Sequence, residues 1–403
     1  MKRSFEFNLR LYPWYVGIFH AYFWQPIYFL FFNSKLDRGD VFTLGSIYFF
    51  CVVAMEVPSG WFSDTFGRKR TLLTASIALA ISYLLFIFAQ NFYTFAIAQA
   101  FLATGIAFNS GTDTSFLLES SRAANKEQEY PAREAQATKF GFRGAAVAAI
   151  LGGIAVWLED YRGAYLLSFI GAIVMIWITY SFVEPKTNKL AEELKLNFFN
   201  QIIACIRLLG NLRLGWIFSF AVFLIIINHI PYELYQPYLE TLAQQFEAVK
   251  EAPIATSIHL ALAMLIASWF ASRSITIRNR IGLNITLFSA AGLQIAMIAI
   301  MHFFISIPAA LAILLRSCPR ALSAAPINAA IAPNVPTTQR ATFLSLMSLI
   351  GRGGFGLTLA FFAIKVRDES WQTLSHMLGI SMWISIGCLL LLILTSKFVT
   401  AKT

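Results

Sequence analysis

Residues 60–72 read Gly60-Trp-Phe-Ser-Asp-Thr-Phe-Gly-Arg-Lys-Arg-Thr-Leu72 and join two strongly apolar runs, 41–62 and 71–90. Each run contains roughly the 20 residues that a helix needs to cross the hydrocarbon core of a bilayer. The two glycines of the joining stretch permit a tight reversal of the chain. Its basic residues at 68–70 favour the cytoplasmic side of a membrane. The stretch therefore predicts a transmembrane helical hairpin with a cytoplasmic turn.

The composition of the whole chain agrees with this prediction. Of the 403 residues, 58% are hydrophobic and 13% are charged, whereas soluble domains average about 45–50% apolar and about 25% charged residues. A water-soluble fold could not bury so much apolar surface, but lipid accepts it. The net charge of +10 comes mostly from basic residues between the apolar runs. We therefore expect no nucleic-acid partner.

Twelve apolar runs of this kind follow one another along the chain. They are 11–32, 41–62, 71–90, 92–117, 140–158, 163–183, 213–236, 253–272, 283–302, 305–331, 341–364 and 374–396. We predict an all-α integral membrane protein with twelve transmembrane helices. Its two six-helix bundles are expected in residues 1–184 and 213–403, joined by a polar cytoplasmic loop at 185–212.

The distribution of Lys and Arg predicts the orientation of these spans. With a cytoplasmic N-terminus, 21 of them fall on the cytoplasmic side, counting Arg213 at the first position of the seventh span, six fall on the opposite side and four lie deeper within spans. Both termini are therefore expected in the cytoplasm. We expect a multi-pass protein of the cytoplasmic (inner) membrane.

The joining loop contains an amphipathic stretch. Its apolar residues recur at helical spacing, and they are Leu196, Phe199, Ile203, Ile206 and Leu209. Polar residues lie between them, namely Lys195, Asn200 and Arg207. We expect a helix that lies on the membrane surface or caps the bundle, and the alternative is a surface that binds a partner.

The two halves of the chain repeat one another. Both Gly60–Asp64, at the end of the second span, and Ser268–Ser272, at the end of the eighth, contain Trp-Phe and precede a basic turn. The offset from Gly60 to Ser268 is 208 residues, about half the chain. Two repeated six-helix halves are typical of secondary transporters.

The stretch 60–72 resembles the loop motif GxLADRxGRKxxL between the second and third helices of the major facilitator superfamily. The matching residues are Gly60, Asp64, Gly67, Arg68, Lys69 and Leu72. The resemblance implies the fold of that family and a conformational latch, made by the loop together with Glu56 near the end of the second span. The alternative is a loop that only fixes the topology of the hairpin.

Charged residues inside spans indicate the substrate cavity, because a charge at mid-bilayer depth costs about 2.5–3.5 kcal/mol on insertion scales. The resemblance implies that the first, fourth, seventh and tenth helices line this cavity. The polar and charged candidates on these helices are Trp24, Gln25, Tyr28, Asn109, Asp113, Glu233, Arg316 and Arg320.

Arg316 and Arg320 are four residues apart, so a continuous helix would place both on one face. Two arginines in a low-dielectric cavity attract an anion, and we expect them to bind a carboxylate or phosphate of the substrate. The alternative is that they pair with Asp113 or another internal acid. Asp113 and Glu233 are the candidate proton carriers, since burial favours a protonated carboxyl and a nearby arginine favours an ionised one.

No cofactor or metal is expected. The sequence 351–356 fits GxGxxG, but it opens an apolar run instead of joining a strand to a helix, as the dinucleotide fingerprint requires. The four cysteines, Cys51, Cys205, Cys318 and Cys388, are scattered without metal-ligand spacing.

We therefore predict a secondary active transporter, and not an enzyme, that moves a small organic solute by alternating access. The solute is expected to be anionic or amphipathic, and proton coupling and a monomeric state are expected. Gly144, Gly152 and Gly153 retain part of the GxxxGPxxGG pattern of antiporters, which favours efflux. The alternatives are an uptake carrier of the same fold and a membrane enzyme that acts on lipid-linked substrates.

Overall fold

The computed structural model is helical and describes residues 4–158, 160–185, 198–247, 251–331, 334–366 and 370–400. No strand occurs in these ranges. The helices of the first half are α1 (Phe5–Phe19), α2 (Tyr28–Asn33), α3 (Arg38–Phe66), α4 (Arg68–Phe88), α5 (Phe92–Asn109), α6 (Thr112–Ala123), α7 (Tyr130–Leu158) and α8 (Tyr161–Ser181). The second half has α9 (Phe198–Leu208), α10 (Leu212–Gln245), α11 (Ala252–Ile281), α12 (Leu283–Phe303), α13 (Ile307–Ala312), α14 (Cys318–Ile331), α15 (Thr337–Lys365) and α16 (Trp371–Thr400).

Eleven helical segments in the described ranges are long and apolar enough to cross a membrane. Large apolar side chains are exposed on them, including Trp157, Trp177 and Trp383. Such side chains are stable on the outside of a bundle where lipid replaces water. The prediction of an all-α integral membrane protein is confirmed, and the remaining predicted span is the first, which is broken.

The break in the first span corrects the prediction of a continuous helix over 11–32. α1 ends at Phe19 and α2 begins at Tyr28, so neither helix alone has the length of a span. Pro26 lies in the intervening segment. Proline has no N–H to donate to the carbonyl of Tyr22 and disfavours the helical conformation of the residue before it, so it disfavours an uninterrupted helix through the segment between α1 and α2.

The fourth and tenth spans are also irregular, where the sequence predicted continuous helices over 92–117 and 305–331. Gly111 has φ +72° and separates α5 from α6. Between α13 and α14 the chain forms a 3-10 turn over Ile313–Ser317. Pro319 follows this turn and cannot donate an α-helical hydrogen bond to the carbonyl of Leu315, which favours the tighter 3-10 geometry.

Contacts group the chain into two compact units, the first being Met1–Leu194 with Pro253–Ile258 and the second Lys195–Ala252 with His259–Thr403. In the first unit, α4 packs against α5 and α8, and α7 packs against α1. A Cβ added at Gly144 would overlap the backbone carbonyl of Gly17, and one at Gly152 would overlap that of Phe23. Two glycines of the antiporter-like pattern therefore allow α7 to lie directly on the backbone of the first span.

The second unit is centred on α10, which packs against α12, α14, α15 and α16. Its core contains an aromatic cluster in which Trp216 contacts Phe220 and Phe288 at ring-centroid distances of 5.3 and 6.2 Å. The indole nitrogen of Trp216 donates a hydrogen bond of 2.9 Å to the carbonyl of Leu392 in α16. An aromatic core and this bond thus join α10 to its neighbours.

The repeat is visible in the structure, but at a different offset from the one predicted. α4 and α12 both contain 21 residues, and each follows a glycine with positive φ, Gly67 (φ +97°) and Gly282 (φ +84°). These glycines are 215 residues apart, not 208. The Trp-Phe pairs at 61–62 and 269–270 therefore do not occupy equivalent positions, because they lie about two helical turns out of register.

The predicted amphipathic helix corresponds to α9, although Lys195 and Leu196 lie outside the described residues. Ile203 and Ile206 are exposed and Cys205 is fully buried. The thiol of Cys205 lies 3.7 Å from the carbonyl oxygen of Gln339 in α15. α9 therefore caps α15 through its cysteine face and presents isoleucines outward.

Candidate functional site

A polar cluster in the first unit forms where α5 ends and α6 begins. The hydroxyl of Tyr15 donates a hydrogen bond of 2.6 Å to Oδ1 of Asn109, whose Nδ2 lies 3.3 Å from Oδ2 of Asp113. The other carboxylate oxygen of Asp113 accepts a bond of 2.7 Å from the backbone N–H of Thr114. The break at Gly111 thus places two predicted cavity residues, Asn109 and Asp113, beside a tyrosine of α1.

The candidates of the first span lie at its break. Trp24 and Gln25 belong to the segment between α1 and α2, and Tyr28 begins α2. The rings of Trp24 and Tyr28 meet edge to face, with centroids 6.0 Å apart. Trp24 Nε1 is buried without a hydrogen-bond partner among the described residues.

The second unit contains a buried cluster of Arg316, His259 and Tyr235. Nη1 of Arg316 lies 2.7 Å from Nδ1 of His259. The guanidinium also stacks on Tyr235, with Cζ 3.9 Å from the ring centroid. The rings of Tyr235 and His259 lie nearly parallel, with an interplanar angle of 16° and centroids 5.8 Å apart. Residues from α10, α11 and the 3-10 turn thus surround one buried cation.

Arg316 is unusual because it is 1% exposed and yet keeps two free donors. Its Nε and Nη2 have no hydrogen-bond partner in the described part of the chain. No ion pair joins it to a carboxylate among the described residues. The alternative in which Arg316 pairs with an internal acid is therefore not supported. A buried charge without a counter-ion is costly, so the site has an unmet demand for negative charge.

The structure does not place Arg316 and Arg320 in the same environment. Arg320 lies in the first turn of α14 and is exposed, whereas Arg316 in the 3-10 turn is buried. The change from 3-10 to α geometry between them removes the regular four-residue spacing on which a shared face depends. Glu233 lies partly buried in α10, two residues before Tyr235.

The motif loop of the first unit is organised around Glu184, which follows α8. Its carboxylate accepts hydrogen bonds from the backbone N–H groups of Arg68 (2.7 Å) and Lys69 (2.9 Å) at the start of α4. These N–H groups have no partner within the helix, and the helix dipole favours a negative charge at this end. Burial nevertheless raises the pKa of Glu184, against the lowering effect of the two hydrogen bonds.

The side chain of Arg68 joins three helices of the first unit. Its Nε lies 3.1 Å from Oε1 of Glu119 in α6, and its Nη1 donates a bond of 2.7 Å to Ser63 Oγ in α3. The hydroxyl of Thr112 in α6 donates to the same Ser63 oxygen at 3.2 Å. Arg68 therefore ties the end of α3 to α6.

The other predicted latch residues have different surroundings. Gly60 is exposed, with no atom within 4 Å of an added Cβ, and Glu56 is partly buried. Nζ of Lys69 lies 5.6 Å from the ring centroid of Tyr180. The side chain of Asp64 lies outside the described part of the structure.

Sequence reasoning missed four charged or polar residues of these clusters. They are Tyr15, Glu119, Glu184 and His259. Two signals were present: Glu119 and Glu184 flank spans on the same side as the basic loop, and His259 is an ionisable residue inside an apolar run. Within the described ranges, no three His, Cys, Asp or Glu side chains come together in a way that could hold a metal ion.

Comparison with known proteins identifies the family. The model of the Major Facilitator Superfamily matches residues 14–360. Solved structures of a point mutant of the nucleoside transporter NupG, of the peptide transporter POT in complex with sulfate and of a D-xylose-proton symporter share the fold. Their TM-scores are 0.80, 0.74 and 0.70, and their sequence identities are 14%, 12% and 13%.

These alignments span nearly the whole length of both chains. The NupG alignment covers 96% of this chain and 100% of NupG, that of POT 99% and 96%, and that of the symporter 95% and 97%. No curated protein sequence matches the chain. The family model and the helical fold together show that this multi-pass membrane protein belongs to the Major Facilitator Superfamily.

Proposed function

We propose that the protein is a secondary active transporter that binds a small organic anion at Arg316 and carries it by alternating access. The observation that carries this proposal is the buried guanidinium with two free N–H donors in the described part of the chain. Family membership makes the chain a carrier, which removes the alternative of an enzyme acting on lipid-linked substrates.

The free donors of Arg316 suit a two-oxygen ligand. Nε and Nη2 lie on the same edge of the guanidinium, and this edge binds both oxygens of a carboxylate or phosphate in parallel. Nη1, on the other edge, contacts His259, and the face stacks on Tyr235. The protein therefore fixes the plane of the guanidinium and leaves one bidentate edge for the ligand.

The fold does not select the substrate. Its solved neighbours include a nucleoside transporter, a peptide transporter and a xylose symporter, which differ in the chemistry of what they carry. The substrate class therefore has to be inferred from side chains of the site, and here these favour an anion.

Proton coupling and direction are parts of the proposal. Asp113 and Glu233 are the acidic candidates for the coupled proton, and the hydrogen bonds described for Asp113 come from neutral groups of Asn109 and Thr114. Efflux is favoured by the glycines at 144 and 152, but their packing against the first span accounts for them equally well. Uptake is therefore the second candidate direction.

The membrane arrangement is proposed from charge. The excess of Lys and Arg on one side supports a protein of the cytoplasmic membrane with both termini in the cytoplasm. We propose a monomer, because the two repeated halves are present in one chain. Labelling of engineered terminal cysteines from either side of intact cells would test the orientation.

The anion proposal is tested by thermal shift of the purified protein. Lactate, succinate and glycerol 3-phosphate represent carboxylates and phosphates, and xylose and tetraphenylphosphonium represent neutral and cationic solutes. A ligand that binds only the folded state stabilises it by RT ln(1 + [L]/Kd) and so raises the melting temperature. We expect stabilisation by one anion class. It should be lost in Arg316→Gln and weakened in Arg316→Lys, because lysine keeps the charge but lacks the bidentate edge of the guanidinium.

Arg143 provides the matched control. It is a second arginine within a predicted span, but it is exposed on α7, so Arg143→Gln should respond to anions like the wild type. Stabilisation by xylose or the cation alone, or an anion response that persists in Arg316→Gln, would contradict the proposal.

A further inference from the structure

We infer that His259 takes up a proton when an anion binds Arg316, so that the transporter moves an organic anion together with a proton. This inference rests on the proposed function and names the coupling group of the same site. His259 lies in α11, 57 residues from Arg316 in sequence and 2.7 Å from it in space.

The hydrogen bonds of His259 define its protonation state. Guanidinium nitrogens only donate, so Nδ1 of His259 must accept the bond from Nη1 of Arg316 and carries no proton. Carbonyl oxygens only accept, so Nε2, 2.8 Å from the oxygen of Ala310, carries the proton. The imidazole is therefore neutral in this structure, with both nitrogens engaged.

Protonation of Nδ1 is opposed while Arg316 has no anion. The added N–H would point at another N–H donor, and two positive charges would lie about 3 Å apart in a buried site. An anion on the Nε–Nη2 edge removes this opposition, because it offsets the second charge and draws the guanidinium toward itself. Proton and anion then bind more tightly together than separately, and the coupling is reciprocal.

Side chains and carbonyls from neighbouring elements surround the pair formed by His259 and Arg316. α10 presents the ring of Tyr235 to both His259 and Arg316, and Tyr232 and Glu233 lie on the same helix. α13 contributes the carbonyl of Ala310, and the 3-10 turn contributes Arg316 itself. Glu233 is an acid that interacts electrostatically with Tyr235, and its negative charge would add to the attraction for a proton.

The charge balance of the site determines how transport responds to voltage. The empty site carries the single positive charge of Arg316. With a monovalent anion and one proton bound, it carries two positive charges and one negative, so its net charge is unchanged. The proton comes from water on the side where the anion enters, and no covalent bond other than N–H forms. Transport of a monovalent anion should therefore respond to a pH gradient and not to membrane potential.

The same arrangement bears on direction. When an anion and a proton bind cooperatively, they travel the same way, so an inward proton gradient drives the anion inward. Coupling through His259 therefore argues for uptake, the second candidate direction of the proposed function, against the glycine pattern that favours efflux.

Calorimetric titration of the purified protein tests the inference, with lactate, succinate and glycerol 3-phosphate as the probes. Titration at pH 7.5 in two cationic buffers of different ionisation enthalpy gives the number of protons taken up per anion bound. We expect about one for the wild type. The imidazole is neutral in the free protein at this pH, which is above its ordinary pKa of about 6.5, and in the inferred complex it is protonated. We also expect Kd to rise up to about tenfold per pH unit above neutrality.

Two variants locate the proton. His259→Asn retains an acceptor for Arg316 but cannot be protonated, so its anion affinity should not change with pH and its proton uptake should be lost. His376→Asn alters an exposed histidine of α16 and should couple like the wild type. Should His259→Asn not fold, the pH dependence of Kd in the wild type still decides, and a flat profile would overturn the inference.

The outcomes separate the two proposals. Failure of the wild type to bind any of the three anions would overturn the anion proposal and this inference with it. Anion binding that is lost in Arg316→Gln, but without proton uptake, would overturn only the inference. Proton uptake that persists in His259→Asn and disappears in Asp113→Asn would assign the coupling to Asp113 instead.

Discussion

The carboxylate of Glu184 accepts a hydrogen bond of 2.7 Å from the backbone N–H of Arg68, across 116 positions of sequence. This contact joins the segment after α8 to the start of α4 and places a carboxyl group against the first backbone N–H groups of α4. It explains in physical terms why a glycine is needed at position 67, and it leads to the first two predictions.

Gly67→Ala should destabilise the protein strongly. The φ of +97° is unfavourable for alanine, and the added Cβ would lie 2.7 Å from the carboxyl carbon of Glu184, so this carboxyl group would have to move and lose its bonds to Arg68 and Lys69. Gly282→Ala is the matched control, since its φ is +84° but no atom lies within 4 Å of the new Cβ. The control should cost about 1–3 kcal/mol from the backbone alone, because φ +84° with ψ 162° is a conformation that only glycine adopts readily. Thermal unfolding in detergent should show a larger loss for Gly67→Ala; equal losses would contradict the proposed clash.

Glu184→Gln should change how stability depends on pH. Burial raises the folded-state pKa of Glu184 above its ordinary value of 4.5, so the folded state favours the protonated carboxyl. The stability contributed by this group is then full below the unfolded pKa and falls as the pH rises through the folded one. The melting temperature of the wild type relative to the variant should therefore fall from pH 5 to pH 8.

The control for this titration is Glu247→Gln, which changes an exposed carboxylate. Its melting temperature should follow that of the wild type across the same pH range. A difference between wild type and Glu184→Gln that stays constant with pH, or widens in favour of the wild type as the pH rises, would contradict the prediction.

Gly144→Ala should disrupt the packing of α7 on α1. The new Cβ would overlap the backbone carbonyl of Gly17, and backbone atoms cannot move aside as a side chain can. Gly292→Ala, in α12, meets no atom within 4 Å and should stabilise its helix by up to about 1 kcal/mol. Size-exclusion profiles and thermal unfolding should separate the two variants; a folded Gly144→Ala with wild-type stability would refute the close approach.

Tyr15→Phe should destabilise the first unit by about 1–3 kcal/mol, because it leaves a buried amide oxygen unpaired and so incurs the desolvation cost of that group. The hydroxyl that it removes donates a bond of 2.6 Å to Asn109. Tyr93→Phe removes a hydroxyl from an exposed tyrosine and serves as the control. Melting temperatures of the two variants that agree within error would show that the Tyr15–Asn109 bond contributes little.

Much of the fold was predictable because its determinants are local. A run of about 20 apolar residues specifies a spanning helix by itself, and the proposed orientation rests on equally local features, short basic turns such as 68–70. The breaks in the helices were harder to predict from the sequence. Pro26 and Gly111 are visible in the sequence, yet both residue types also occur within unbroken membrane helices, since neighbouring groups re-satisfy the backbone.

The candidate site was predicted only in part. Arg316, Asp113 and Asn109 were identifiable as polar residues in apolar runs. Their partners were not, since Tyr15 is 94 positions from Asn109 and His259 is 57 positions from Arg316. The expectation that Arg316 and Arg320 lie on one helix face relied on a regular helix, which the 3-10 turn interrupts.

The sequence by itself determined that this protein is a helical membrane protein and that it carries the family motif, because these properties depend on hydropathy and on residues adjacent in the chain. Only the tertiary structure decided which groups meet Arg316, and which of its donors remain free. That choice depends on how α10, α11 and the 3-10 turn pack together, and a buried cation with neutral neighbours differs from an ion pair only in those long-range contacts.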